Sequence, residues 1–150
     1  GEAEALHEAA LAALGIALGA SSSRTGAPSR PSPRQERQVA RMMRYVDDNV
    51  AEDCSLDALA RLAGVSSFHF LRLFRILTGQ TPRQFVIAAR LRAAAAALRR
   101  TRDPVTRIAL DAGFGDLSHF NASFARSFGA SPRAYRNRRG PSDHRPLRPL

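Results

Sequence analysis

An all-α fold follows from three features of this 150-residue sequence. Apolar residues recur at helical spacing from about Gln35 to about Arg139. Glycines and Ser-Pro, Thr-Pro or Asp-Pro pairs cut that stretch into seven segments of helical length. Residues 59–85 are echoed, in the same order of small, aromatic and turn residues, at 108–135. These features predict a seven-helix domain of two bihelical subdomains joined by a long linker helix, preceded by an extra N-terminal helix.

The elements follow in chain order. Residues 1–19 carry Leu6, Leu11, Leu14 and Leu18 among alanines, with Glu2, Glu4 and Glu8 at the front, where acids favour a helix start. Residues 20–34 are Ser, Gly, Arg and Pro, and Pro28, Pro31 and Pro33 make them a flexible linker. The domain proper spans residues 35–139. Its first helix shows one apolar stripe, Val39, Met43, Val46 and Val50. The second opens at Ser55, a good N-cap, buries Leu56, Leu59, Ala60 and Ala63, and ends at Gly64. The third runs from about Ser67 to Leu77 and stops near Gly79. Thr81-Pro82 starts the linker helix, 82–100, because proline at the first helical position gives up an N–H that has no partner anyway. Phe85, Leu91, Ala95 and Leu98 are its inward face. Asp103-Pro104 starts the fifth helix, which ends at Gly113. The sixth spans about Leu117 to Phe128, and Ser131-Pro132 starts a short seventh around Tyr135. Residues 140–150, with three prolines, read as a disordered tail.

The repeat gives these helices a grammar. Ala60, Ala63 and Gly64 match Ala109, Ala112 and Gly113 at an offset of 49. After one extra residue in the second turn, His69, Phe70, Phe74, Gly79, Pro82, Arg83 and Phe85 match His119, Phe120, Phe124, Gly129, Pro132, Arg133 and Tyr135 at an offset of 50. A small residue lets two helices cross closely, and a glycine four positions on takes a turn conformation that a Cβ penalises. Val65 or Phe114 then plugs the corner. This is a helix-turn-helix, at about 55–79 and again at about 104–129. With Phe70, Leu73, Phe120 and Phe124 facing inward, Ser66, Ser67, Phe68, Leu71 and Arg72 point outward. So do Asp116, Leu117, Ser118, Asn121 and Ala122. Such faces suit a DNA major groove. The linker helix, at about 1.5 Å per residue, spans ~28 Å. Major-groove faces recur about every 34 Å, a length that lets one chain present both faces to the same side of a duplex.

Charge agrees. Nineteen arginines against nine acids between Arg34 and Gly140 supply the whole net charge of +10. The complete absence of lysine has a ready explanation in codon bias, but the field it creates still favours a polyanion, most often nucleic acid. A membrane surface would ask for a basic amphipathic helix with large apolar anchors, and no apolar run is long enough to span. A single cysteine, Cys54, forbids an internal disulfide, and with no secretion signal at the start a cytoplasmic location is expected. The first residue is not methionine, so a piece of a longer protein is expected, with residues 1–19 the remnant of an upstream sensor or dimerisation domain.

The residues just quoted resemble the C-terminal DNA-binding domain of the AraC/XylS family of bacterial transcription regulators. The resemblance covers about residues 38–138. It is most specific in Ala112-Gly113-Phe114, Ser118-His119-Phe120, Phe124, Gly129, Ser131-Pro132 and Tyr135-Arg136. Leu56, Leu59-Ala60, Val65-Ser66, His69, Arg72-Leu73-Phe74, Gly79 and Pro82 carry it in the first half. It implies a bacterial, nucleoid-associated regulator that activates or represses transcription from an asymmetric double-stranded DNA site. RNA polymerase and a second copy of the chain would be its further partners. Base-reading positions then fall on Phe68, Leu71 and Arg72, and on Leu117, Ser118, His119 and Ala122, with Asn121 beside them on the outward face. Arg72 suits guanine O6 and N7, whereas Phe68 and Leu71 offer only apolar contact, for example to a thymine methyl. Ser67, Arg75, Arg83, Arg126, Arg133 and Arg136 are the candidate phosphate contacts, several of them near helix starts where N–H groups favour anions. Ala122 and Ala125 depart from the family's longer or basic side chains, so the second unit would grip fewer bases and phosphates.

Other chemistries find little support. His69 and His119 have no ligand cluster around them and read as packing or backbone-polar residues, His119 also as a groove contact; no metal or cofactor is expected. Cys54 reads as a small filler before an N-cap. Gly113-Phe114-Gly115 lacks the preceding strand and third glycine of a dinucleotide fingerprint. No phosphate-binding loop, nucleophile elbow or paired carboxylates indicate an enzyme. A helical adaptor for an acidic protein, having lost DNA specificity, stays as the alternative. So does a DNA-modifying enzyme using this module for targeting, its catalytic part lying elsewhere.

Overall fold

The computed structural model describes residues 30–138. They form seven helices and no strand: α1 (Pro33–Asp48), α2 (Leu56–Ala63), α3 (Ser67–Thr78), α4 (Pro82–Arg100), α5 (Val105–Asp111), α6 (Leu117–Phe128) and α7 (Pro132–Asn137). The expected helix at 1–19, most of the linker and the tail at 140–150 lie outside the described residues. Only the linker's end is corrected. Pro33 and Arg34 already belong to α1, because Ser32 caps it: its Oγ accepts from the Gln35 N–H at 3.3 Å, and the Gln35 side chain accepts from the Ser32 N–H at 2.8 Å. With that capping box in place, Pro33 sits at the first helical position and starts the helix rather than breaking it.

The fold divides into two compact units, the boundary falling inside α4 between Ala89 and Arg90. In the first, α1 packs on both α2 and α3. Val39, Met42, Met43 and Val46 meet Leu59, Ala60 and Ala63 of α2, Phe70, Leu73 and Phe74 of α3, and Phe85, Val86 and Ala89 at the start of α4. Val50 and Leu56 are only partly buried at its edge. The end of α2 shows how tightly the corner is specified. Its last four carbonyls lack helical partners, and each finds one. Ala60 O accepts from the Val65 N–H at 3.0 Å and Arg61 O from the Gly64 N–H at 3.1 Å. Leu62 O accepts from Arg41 at 3.3 Å, and Ala63 O accepts from the Gln38 side chain.

The second unit reuses the same turn. Phe114 N–H donates to Ala109 O at 3.0 Å and Gly113 N–H to Leu110 O at 2.9 Å, the same bond pair 49 residues on. Gly64 and Gly113 sit at φ +73° and +87°, a left-handed conformation that glycine adopts without strain. Leu91, Ala94, Ala95, Leu98, Ile108, Ala109, Ala112, Phe114, Phe120 and Phe124 are buried in this unit. Its aromatic rings interlock: Phe114 on Phe120 at 5.0 Å, Phe120 on Phe124 at 5.6 Å, and Phe124 edge-on to Tyr135 at 5.3 Å. In the first unit Phe74 meets Phe85, the repeat partner of Tyr135, edge-on at 5.7 Å. Cys54 is buried with its thiol directed at Asn49 O, the small filler expected.

Candidate nucleic-acid interface

Both second helices of the repeats are anchored by one face and capped at their starts, which fixes what the other face presents. On α3, Ser66 is the N-cap, its Oγ accepting from the His69 N–H at 3.2 Å, while Phe70 and Phe74 are fully buried below. The opposite face then carries Phe68, Leu71, Arg72, Arg75 and Ile76, at spacings of three, four, seven and eight residues, which is one continuous helical stripe. They line an open groove of about 430 Å³. Phe68 is 77% exposed and Ile76 47%. Arg72 and Arg75 are exposed, and neither side chain makes a hydrogen bond or ion pair among the described residues. Sequence reasoning placed Phe68, Leu71 and Arg72 here and missed Ile76, although its spacing from Phe68 and Leu71 already carried that signal.

On α6, Asp116 replaces the serine cap and accepts from the N–H groups of Ser118 at 2.7 Å and His119 at 3.3 Å. Phe120 and Phe124 lie beneath, fully buried. Leu117, Ser118, His119, Asn121, Ala122, Ala125 and Arg126 are exposed. Apart from Leu117 and His119 in its first turn, the outer face of α6 carries Ser118, Asn121, Ala122, Ala125 and Arg126 where α3 has Phe68, Leu71, Arg72, Arg75 and Ile76.

The remaining expected residues divide. Arg83 and Arg133 are exposed one residue inside α4 and α7, each behind a working cap: Thr81 Oγ1 accepts from Gln84 N–H and Ser131 Oγ from Ala134 N–H, both at 3.2 Å. Ser67 is half-buried and its hydroxyl donates to Asp57 of α2, so its side chain ties the two helices of the unit together. Arg136 turns inward: its Nη2 donates to Asp103 O at 2.6 Å and its Nε is buried without a partner. It joins α7 to the loop before α5. Arg99, which sequence reasoning had not singled out, stacks over the Tyr135 ring at 4.9 Å.

The histidines correct an expectation. Of the packing or backbone-polar role expected, only the packing alternative fails: both side chains are exposed, while the backbone N–H groups donate to the caps Ser66 and Asp116. The His119 ring does lie 5.8 Å from Phe114, at the rim of the core. Arg107 is spoken for: its Nε–H is shared between both oxygens of Asp111 at 3.0 and 2.9 Å, and that hydrogen bond raises its pKa above the ordinary value. Among the described residues no cluster of three His, Cys, Asp or Glu is placed to hold a metal, and no helix is long and apolar enough to cross a membrane.

Comparison with known proteins agrees with this geometry. A family model described as a helix-turn-helix domain matches residues 59–138. The regulatory protein SoxS of Salmonella typhimurium is 31% identical over 100 residues, covering 67% of this chain and 94% of SoxS. The DNA-binding domain of the global transcriptional factor AdpA, solved in complex with a target DNA, superposes with a TM-score of 0.64 at 31% identity, over 67% of this chain and 91% of that one. A transcriptional regulator with an AraC-type DNA-binding domain from Chromobacterium violaceum does so with a TM-score of 0.65 at 27% identity, over 74% of this chain and all of that one, 100%. The chain belongs to the AraC/XylS family of DNA-binding transcription regulators and carries that family's DNA-binding domain.

Proposed function

We propose that α3 and α6 are the two recognition helices, each entering a major-groove segment of one asymmetric operator. The observation that supports this best is the outer face of α3. A helix locked to its core by two fully buried phenylalanines offers Arg72 free of any partner, between exposed apolar side chains. In this reading Arg72 pairs with guanine O6 and N7, and Phe68 and Leu71 touch neighbouring bases. Leu117, Ser118, His119, Asn121 and Ala122 make the shorter-range contacts of the second unit. Arg75, Arg83, Arg126 and Arg133 hold phosphates. Ser67, whose hydroxyl serves an internal bond, contributes to phosphate through its backbone N–H, and Arg136 is assigned instead to holding the Asp103 carbonyl.

The protein is read as a cytoplasmic, nucleoid-associated regulator whose DNA-bound form contacts RNA polymerase. A homodimer that depends on the residues before Ser32 is part of this reading; light scattering of the full chain against one starting at Ser32 tests it, and equal protomer numbers reject it.

Selection of bound duplexes from random DNA, followed by competition against bulk DNA, tests the main reading. It expects a two-part motif with halves about one helical turn apart. The absent side chains at Ala122 and Ala125 favour a second reading, an adaptor for an acidic protein, and that reading expects no sequence preference among duplexes.

A further inference from the structure

The groove on α3 has an unusual composition for a surface meant to meet base edges. Three of its five residues, Phe68, Leu71 and Ile76, carry no hydrogen-bonding group, and the two polar ones, Arg72 and Arg75, only donate. The major-groove edge offers hydrogen-bond donors and acceptors at every base pair but only one apolar group, the methyl on C5 of thymine. Methylation of cytosine puts the same group at the same position.

We propose that the first unit takes pyrimidine C5-methyl groups as its principal base signal, with Phe68, Leu71 and Ile76 as the receiving surface and Arg72 reading an adjacent guanine. This rests on α3 being a recognition helix. Two arginines flanking the apolar stripe, in a chain of net charge +10, match a polyanion rather than the apolar face of another protein. From Phe68 to Ile76 the helix advances about 12 Å, or three to four base-pair steps at ~3.4 Å each. That length accommodates more than one methyl. It follows that thymine and 5-methylcytosine are accepted alike where uracil and cytosine are not, so cytosine methylation within the half-site strengthens binding.

The test uses the full chain and a duplex selected for tight binding. Replacing thymines by uracils across the α3 half-site removes methyls and nothing else. Each methyl in contact then lowers affinity about four-fold, from ~0.8 kcal/mol per buried carbon. Where selection gives cytosine beside the guanine, changing it to 5-methylcytosine raises affinity by a similar factor. Phe68→Ala, at a position too exposed to endanger the fold, brings the thymine and uracil duplexes close to equal. Equal binding of thymine and uracil duplexes by the unmodified protein overturns the proposal while leaving sequence-specific binding intact. Loss of preference for every duplex instead overturns the recognition-helix reading beneath it. A DNA-free dimer that Phe68→Ala dissolves would assign the groove to a second copy of the chain and also overturn the proposal.

Discussion

Replacing Arg72 by alanine separates base reading from simple charge attraction. The side chain is exposed and makes no hydrogen bond or ion pair among the described residues, and alanine is at least as good a helix former. Stability should therefore change by less than about 0.5 kcal/mol. A bidentate arginine–guanine pair is worth about 1–3 kcal/mol of discrimination, so affinity for the selected duplex should fall roughly 5- to 160-fold. Binding to a scrambled duplex should barely change. Arg75→Ala, one turn further along the same face, is the internal control. A lost phosphate contact weakens both duplexes alike and reduces the slope of log K against log salt by about 0.9. Fluorescence anisotropy over a salt titration, with both duplexes and both variants, measures all four quantities. If Arg72→Ala weakened the two duplexes equally and flattened the salt slope by that amount, Arg72 would be a phosphate contact and the assignment of base reading to it would be wrong.

Phe120→Ala, at a fully buried position touching the Phe114 and Phe124 rings, should destabilise the domain by about 3–5 kcal/mol in denaturant unfolding. Gly64→Ala meets open space for its Cβ, so only the left-handed backbone opposes it; a loss of about 1–2 kcal/mol is expected, and a neutral result would mean the turn relaxes. Arg136→Ala should lower stability by about 1–3 kcal/mol, because it removes a charge-assisted bond to Asp103 O, and leave the salt slope of DNA binding nearly unchanged. A flattened slope with unchanged stability would make Arg136 a phosphate ligand after all. Ala125→Arg, on the exposed face of α6, should steepen the salt slope by about 0.9 if that face approaches phosphate.

Most of the fold was legible because it is written in local chemistry. Ser55, Thr81 and Ser131 mark helix starts in sequence and are caps in structure, since a hydroxyl next to a helix start needs only the N–H groups of the following turn. The glycine turns at Gly64 and Gly113 follow from backbone sterics alone. What was not legible depended on longer range or on competition between local signals. Pro33 looked like linker because three prolines lay close together; Ser32 and Gln35 decide otherwise by satisfying each other. Arg136 looked like a phosphate ligand by its place after a cap, but the carbonyl that captures it lies 33 residues earlier. The exposure of His69 and His119 depends on which way each ring faces from its helix, and repeat position does not reveal that.

The two units, set position against position, tell where divergence was permitted. Beneath the helices, Ala60, Ala63, Gly64, Phe70 and Phe74 have identical partners in Ala109, Ala112, Gly113, Phe120 and Phe124, all but the glycines buried; inner exchanges include Leu59 for Ile108, Val65 for Phe114 and Leu73 for Ser123. Across the five groove positions of α3 nothing is kept, although the exposed His69 and His119 match. Phe68, Leu71, Arg72, Arg75 and Ile76 stand against Ser118, Asn121, Ala122, Ala125 and Arg126. Packing constraints act on both inner faces, because a lost ring there costs about 3–5 kcal/mol in either unit. The outer positions carry no such constraint, so their residues answer to whatever each unit touches. Two similar frames whose groove positions all differ cannot favour the same sequence in both halves of a site. The division also bears on energetics: donors and bulky apolar groups sit on α3, while α6 has one arginine and short side chains on its outer face. A selected operator should therefore show sharp base preferences under α3 and weak ones under α6, and mutating bases in the α6 half should move affinity less than mutating those in the α3 half.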